Sequence, residues 1–501
     1  MNRLNKYLPA VFVIGITLVF LFLNLIWQEM DARPPHWDMG RHLYTSLRYR
    51  ELLTGLHLKT FLLGYFYYPP LYYWVSIPVF GIFGFSLSSA VFTNLFFMLI
   101  LSLSTFFATK KLFNQNWGML ASIMILTLPM LSGQFKEFQL DAPLSAIAAL
   151  VLALTIYNPN FSNRKLSIWL GLSVGFGMLL KWTFIAFSGP LLIYQIVITI
   201  KNKSRNWSNL LLSIITTAII SAPWYLHNFR QLGHDIKMGG IGSAVAEGDP
   251  TGFAWMAFTW YFKTFFELHL WFLGTALAAI SIIFVLYKKD LRSRLSPYLI
   301  SGAFGYLAFF VFANKDARYI MPILPAIVMI EIGFLSSLSY SWRKLLIPLI
   351  IIFSLFTFSE TSFGWPVNKS VGFNIENYHT NLFTAGSYTV SPPDPAPWFY
   401  DDIVAKAKSD GGEGKSIQFL GSDTMNFNRW DVAYLAQANG LIWPGENLEQ
   451  IDYDYLVYRQ SGAAKLADEV SKLQQSGYNS EVIGNWSLPD KSDVFLLKIK
   501  K

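Results

Sequence analysis

The segment Asp31-Ala-Arg-Pro-Pro-His-Trp-Asp38-Met-Gly-Arg41-His42-Leu-Tyr44 gathers acids, imidazoles and guanidinium groups in one short stretch. Asp38 precedes an amphipathic stretch, residues 41–53, expected to lie along a membrane surface. A carboxylate at that point either caps a helix or acts as a general base toward a hydroxyl. A second cluster, Gly64-Tyr-Phe-Tyr67-Tyr68-Pro-Pro-Leu-Tyr72-Tyr73-Trp74, is aromatic. It reads as a belt at headgroup level or as a substrate contact through Tyr67 and Tyr68. In Lys136-Glu137-Phe-Gln-Leu-Asp141-Ala-Pro143 an acid opens an apolar run, as a cap ahead of proline or as a ligand. Lys181 stands in a tight turn between two apolar runs, and Asn314-Lys315-Asp-Ala-Arg318-Tyr319 joins two more. Cations in turns this short are either snorkelling anchors or partners of an anion such as phosphate. For that anion Arg offers a bidentate fork and Lys a point charge.

The elements that must position these residues are mostly apolar. The 501 residues are 53% hydrophobic, 17% aromatic and only 14% charged, with a mean hydropathy of +0.37. These proportions exclude a disordered chain, a coiled coil and an ordinary cytosolic enzyme. Apolar runs of membrane-spanning length lie near 8–27, 87–109, 117–133, 142–157, 166–180, 183–200, 209–228, 268–287, 296–313, 319–338 and 345–362. The first lacks a small-residue cleavage site and reads as a retained helix. A shorter stretch, 71–84, begins after Pro69-Pro70 and reads as interfacial or re-entrant. The expected fold is a polytopic α-helical membrane protein with about eleven transmembrane helices, interfacial helices and a small C-terminal soluble α/β domain. Its domains would be 1–362 and 363–501. In the tail, Pro392, Pro393, Pro395 and Pro397 mark a linker. Strands are expected at 416–421 and 453–458, helices at 429–439 and 463–475, and a closing strand pair at 481–486 and 494–499. The tail shows no phosphate loop, nucleophile elbow or metal-ligand spacing. With no cysteine in the chain, disulfides, thiolate metal sites and cysteine nucleophiles are excluded.

Charge sets the orientation. Residues 1–359 carry 27 Lys and Arg against 13 Asp and Glu, whereas 360–501 carry 12 against 18. With the N-terminus in the cytoplasm, Arg3, Lys6 and the pairs and clusters at 110–111, 164–165, 201–205, 288–294 and 343–344 all fall inside, with Asp290 the one acid among them. Every turn then obeys the positive-inside rule, and the C-terminal domain lies outside. Eleven of the thirteen acids face outward, while Glu331 remains within a run.

The order of the pieces resembles GT-C glycosyltransferases of the protein O-mannosyltransferase and lipid A aminoarabinose transferase type. The residues that carry it are Asp38-x-x-Arg41, Tyr68-Pro-Pro-Leu-Tyr-Tyr-Trp74, Asp141-x-Pro143, Lys181, Pro223-Trp224-Tyr225 and Lys315-x-x-Arg318-Tyr319-x-x-Pro322-x-x-Pro325. The resemblance covers roughly residues 1–360. It implies an inverting transfer of a sugar from a polyprenyl phosphate to an extracytoplasmic lipid, glycan or protein hydroxyl. Asp38 would be the base, with Arg41, Tyr67, Tyr68 and Asp141 contacting substrate. Lys181, Lys315 and Arg318 would hold the leaving phosphate, where negative charge grows. Nucleic acid and nucleotide sugars play no part in this reading. Two positions depart from the family: Asp38-Met39 stands where many members have Asp-Glu, and Tyr68-Pro69 where the aminoarabinose enzymes have an acid and a lysine. The motifs therefore support neither a divalent metal nor the aminoarabinose substrate, and no cofactor is implied. Two rivals are a transporter or flippase of lipid-linked sugars and a receptor or assembly protein working through its tail. A transporter should show internal repeats or charges along both halves of its path.

The orientation is testable. Reporter fusions at Asn206 and at the C-terminus should lie on opposite sides of the membrane, the first inside; reporters on the same side would overturn it.

Overall fold

The computed structural model describes residues 3–36, 38–237, 240, 242–250, 255–367, 369, 371–375, 378–383, 389–424, 426–445, 453–460 and 466–500. Each apolar run named above falls on helix. Among the described residues, six helical segments are long and apolar enough to cross a membrane by themselves: Tyr7–Met30, Leu87–Leu112, Trp182–Lys201, Trp207–Lys237, Ala317–Ser337 and Tyr340–Phe363. Leu71–Phe83, at 13 residues, reaches only about 20 Å as a helix, well under a hydrocarbon core of about 30 Å. The run at 117–133 is broken into Gln115–Thr127 and Pro129–Gln134. Leu128 precedes Pro129, whose ring clashes with a helical conformation one residue back, and its ψ is accordingly 129°.

The chain divides into two compact units, one of Met1–Trp27, Leu58–Val75 and Val91–Pro392, the other of Gln28–His57, Ser76–Ala90 and Pro393–Lys501. In the first, the Arg164–Leu180 helix packs closely on Trp207–Lys237. Gly171 and Gly175, one turn apart, make that approach possible. A methyl on Gly171 would stand 2.3 Å from the Ser213 carbonyl oxygen, and one on Gly175 2.7 Å from the Ile220 Cβ. Small residues at this spacing let helix backbones meet where lipid provides no hydrophobic drive. Hydroxyls along the helices fold back on the preceding turn, as Ser145 does on the Asp141 carbonyl at 2.8 Å.

The second unit holds a four-stranded mixed sheet in the order Ile417–Leu420, Tyr455–Gln460, Asp493–Lys500, Asn479–Ser487. Its first pair is parallel and the others antiparallel. Tyr453, Leu456, Tyr458, Leu473, Leu497 and Ile499 form a core on one face. The tail elements read from sequence are present, with the second helix described from Leu466 to Gln475 and its expected residues 463–465 outside the described set. Sequence reading missed the hairpin Val371–Ile375/Tyr378–Phe383, which belongs to the first unit, and the Tyr400–Ala407 helix.

This unit also contains the Asp38–Thr54 helix, which lies against the tail helix Arg429–Ala438. The amphipathic stretch expected on a membrane surface thus covers a protein surface. Gly40 allows the contact: a methyl there would be 2.9 Å from Asp431 Oδ1 and 3.0 Å from the Trp430 carbonyl carbon. The Arg41 guanidinium lies 5.1 Å over the Trp430 ring, and Tyr44 is tilted against it at 5.8 Å. The tail helix is started by a reciprocal cap, the Asn428 side chain on the Trp430 amide and Asp431 on the Asn428 amide. Replacing Gly40 by Ala should force these helices apart and cost about 1–3 kcal/mol. Thermal unfolding of the detergent-purified protein checks this; an unchanged midpoint would show that the clamp is loose.

Candidate active site

Lys181 ends the Arg164–Leu180 helix. Its backbone is extended (φ −155°, ψ 134°) while its N–H still closes on the Gly177 carbonyl. This aims the ammonium at Asp141, the first residue of the Asp141–Tyr157 helix. Nζ donates to Asp141 Oδ1 at 2.8 Å, and the two side chains are 5% and 3% exposed. The start of a helix is where a carboxylate is most favoured, since the unpaired amides and the dipole face it. Removing one member of such a buried pair typically costs about 3–5 kcal/mol, because the other is left as a lone buried charge. The ammonium also faces two rings, Tyr319 at 4.7 Å and Tyr68 at 5.6 Å.

Beside Lys181 lies a cavity of about 670 Å³ whose wall includes Tyr65, Tyr67, Tyr68, Trp182, Asp235 and Tyr319. The Tyr65 hydroxyl donates to Asp235 Oδ2 at 2.7 Å, and its ring stacks on Trp224. Tyr67 adopts φ +74° and meets Tyr68 edge-on at 4.7 Å. A bulky residue in the left-handed region costs of order 1–3 kcal/mol, and such strain gathers at functional sites.

The other expected cations do different work. Lys315 donates from its ammonium to the carbonyls of Phe309 (3.0 Å), Phe310 (2.9 Å) and Phe312, at the end of the Ser296–Val311 helix. Those carbonyls lack helical partners, and a lysine with three donors answers three of them. Burial pulls the Lys315 ammonium below its ordinary pKa, an effect that Asp249 opposes. Arg318 grips Asp316 with Nε at 2.9 Å and Nη2 at 2.5 Å, and Nη1 reaches Gln139 Oε1 at 3.4 Å. Asp316 caps its own short helix through the Arg318 amide at 2.8 Å. Burial pushes the Asp316 carboxyl up, but Arg318, with Lys181 behind it, carries it below its usual value of 3.8. Among the described residues the cavity wall includes Lys181 and neither Lys315 nor Arg318.

The structure therefore brings Tyr67, Tyr68, Asp141 and Lys181 together. Asp38, the first residue of its helix, and Arg41, over Trp430, belong to the second unit. Residues 134–141, between the apolar runs near 117–133 and 142–157, are buried: Lys136 donates to the Thr361 carbonyl at 2.8 Å and Gln134 to Glu137 at 3.1 Å. Sequence reading missed the pairing of Tyr65 with Asp235, 170 positions apart, for which no local spacing gives a signal. Asp316 was visible two residues from Arg318, but only the cations of that turn were singled out. Among the described residues no group of three His, Asp or Glu is placed to hold a metal ion.

Residues 68–227 match the family described as dolichyl-phosphate-mannose-protein mannosyltransferase. The chain is similar in structure to ArnT from Cupriavidus metallidurans in its undecaprenyl phosphate-bound form, with a TM-score of 0.66, 15% identity and 97% of both chains covered. The fold is that of ArnT. Apo ArnT gives a TM-score of 0.64 at 16% identity, covering 99% of this chain and 98% of that one. The apo oligosaccharyltransferase of Archaeoglobus fulgidus gives 0.50 at 10%, covering 91% and 70%. No curated protein matches at the sequence level. The matched family segment carries Tyr68, Asp141 and Lys181.

The Asp316 carboxyl supplies a pH signature. Its folded form gives up a proton more readily than the unfolded chain, so its stabilisation is complete above the ordinary carboxylate range and is lost as pH falls through about 4 and lower. Asp316→Asn should lower the melting temperature at pH 7, and the gap from wild type should narrow toward pH 3. A gap independent of pH would show that the carboxylate charge contributes nothing.

Proposed function

We propose that this chain is an integral membrane glycosyltransferase that moves a sugar from a polyprenyl-phosphate donor to a hydroxyl on an extracytoplasmic lipid, glycan or protein. The observation that carries this reading is Lys181, a buried ammonium on the wall of a large aromatic cavity in a GT-C fold. Support comes from ArnT, whose structure of the same fold holds undecaprenyl phosphate.

In the proposed step Asp38 takes the proton of the acceptor hydroxyl as its oxygen attacks the anomeric carbon. The bond from that carbon to the phosphate oxygen breaks, and its electron pair leaves with the phosphate. One displacement inverts the carbon. Lys181 meets the growing charge on the phosphate, with Asp141 accepting a hydrogen bond from one of its three N–H groups. Tyr67 and Tyr68 line the sugar's approach. Arg318 acts through Asp316 as a positioning residue, and Lys315 is assigned to closing its helix. The expected orientation puts this cavity and the C-terminal domain on the outer side.

The test uses purified protein, a labelled polyprenyl-phosphate sugar and candidate acceptors. The double variant Lys181→Met/Asp141→Asn removes the ammonium without leaving a lone buried charge. It should weaken donor binding by roughly ten- to a hundredfold, the loss of one charge-assisted hydrogen bond. Asp38→Asn should bind donor normally and fail to turn over. Undiminished donor affinity in the double variant would overturn the assignment of Lys181, and near wild-type turnover in Asp38→Asn would exclude it as the base.

A further inference from the structure

Glu331 has no part in the reading above. It lies midway along the Leu324–Ser337 helix, is 2% exposed, and its carboxyl meets no hydrogen bond or ion pair among the described residues. An ionisable side chain inside a spanning helix marks a functional site unless a partner accounts for it.

The carboxyl borders a second cavity, of about 770 Å³, with Leu128, Trp271, Leu273, Leu349 and Ile352 on its wall. Two irregularities of the backbone meet there. One is the break at Leu128, ahead of Pro129. The other is Trp271, at φ +57°, directly after the π-type turn Phe265–His269 and Leu270. Such turns and strained residues recur at functional sites. The hydroxyls of Thr127 and Thr357, also on the wall, are engaged with backbone carbonyls. Leu273, Leu349 and Ile352 are also 58%, 51% and 63% exposed, on helices read as spanning, so the cavity opens toward lipid.

An occupant must therefore enter from the bilayer, carry a long apolar chain and offer the carboxyl a donor. A phosphate head, as an ion, would have to be stripped of water to reach the carboxyl. An ammonium would have to be stripped of water among apolar walls, at several kcal/mol per buried ion. A hydroxyl loses little on desolvation and supplies the missing hydrogen bond. We propose that this cavity binds a long-chain lipid alcohol, its hydroxyl on Glu331, at a site separate from the Lys181 cavity.

Photo-crosslinking the full-length protein in nanodiscs tests this, using three diazirine lipids of identical chain with a hydroxyl, an ammonium or a phosphate head. The alcohol should label residues 270–277 and 346–357, and excess unlabelled alcohol should compete. The labelling should fall about tenfold in Glu331→Leu and persist in Glu331→Gln, which keeps a hydrogen-bonding oxygen. Equal labelling by the phosphate lipid, stronger labelling by the ammonium lipid, or labelling that unlabelled alcohol does not compete would each overturn the assignment. The head-group comparison in the wild-type protein stands even if the Leu variant fails to fold.

Discussion

A lysine ammonium cannot be buried alone, and the first unit is organised around that fact. Lys181 is accommodated because Asp141 opens a neighbouring helix beside it, and because Tyr68 and Tyr319 present ring faces in place of water. Each condition requires something further back in the chain. The turn at Lys181 depends on the helix ending at Leu180, and that helix is set by Gly171 and Gly175 against Trp207–Lys237. Asp316 adds a second negative group near the ammonium and is itself balanced by Arg318. The result is two buried or half-buried ion pairs, with one cation facing the cavity.

This arrangement shows why cations with similar sequence surroundings differ in role. Lys181, Lys315 and Arg318 all lie in short turns, yet they face a cavity, a helix end and a carboxylate respectively. The deciding factor is what each turn leaves unpaired. Ser296–Val311 ends in open carbonyls four residues before Lys315, within reach of its long side chain. The Lys181 turn sends the side chain away from its own helix, so its partner comes from elsewhere.

Much of the fold was legible because bilayer thickness sets a long, uniform apolar signal, and because the short apolar and aromatic runs at 453–458 and 494–499 stand out in a polar tail. The aromatic cluster at 65–74 and the acid at 141 were legible as candidates for the same reason: unusual residue types at the edges of apolar runs. What could not be read was partnership. Nothing near Tyr65 points to Asp235, and nothing near Trp430 points to Arg41. The polar residues at 134–141 are buried, and only their hydrogen bonds inside the protein make that possible. Residues 28–57 looked like a loop of the membrane part, but share a compact unit with the tail.

That last arrangement has a consequence in time. The ribosome completes the Asp38–Thr54 helix about 375 residues before it begins the Arg429–Ala438 helix that covers it. At roughly 5–20 residues per second, this is an interval of roughly 20–75 seconds. Throughout it Gly40, Arg41 and Tyr44 lack the helix they pack against in the finished protein. The membrane surface is the nearest apolar refuge for a helix emerging between two inserted segments. The nascent chain would then hold the Asp38 helix on lipid first and hand it to protein only when synthesis is nearly complete, so that a prematurely terminated chain never assembles it.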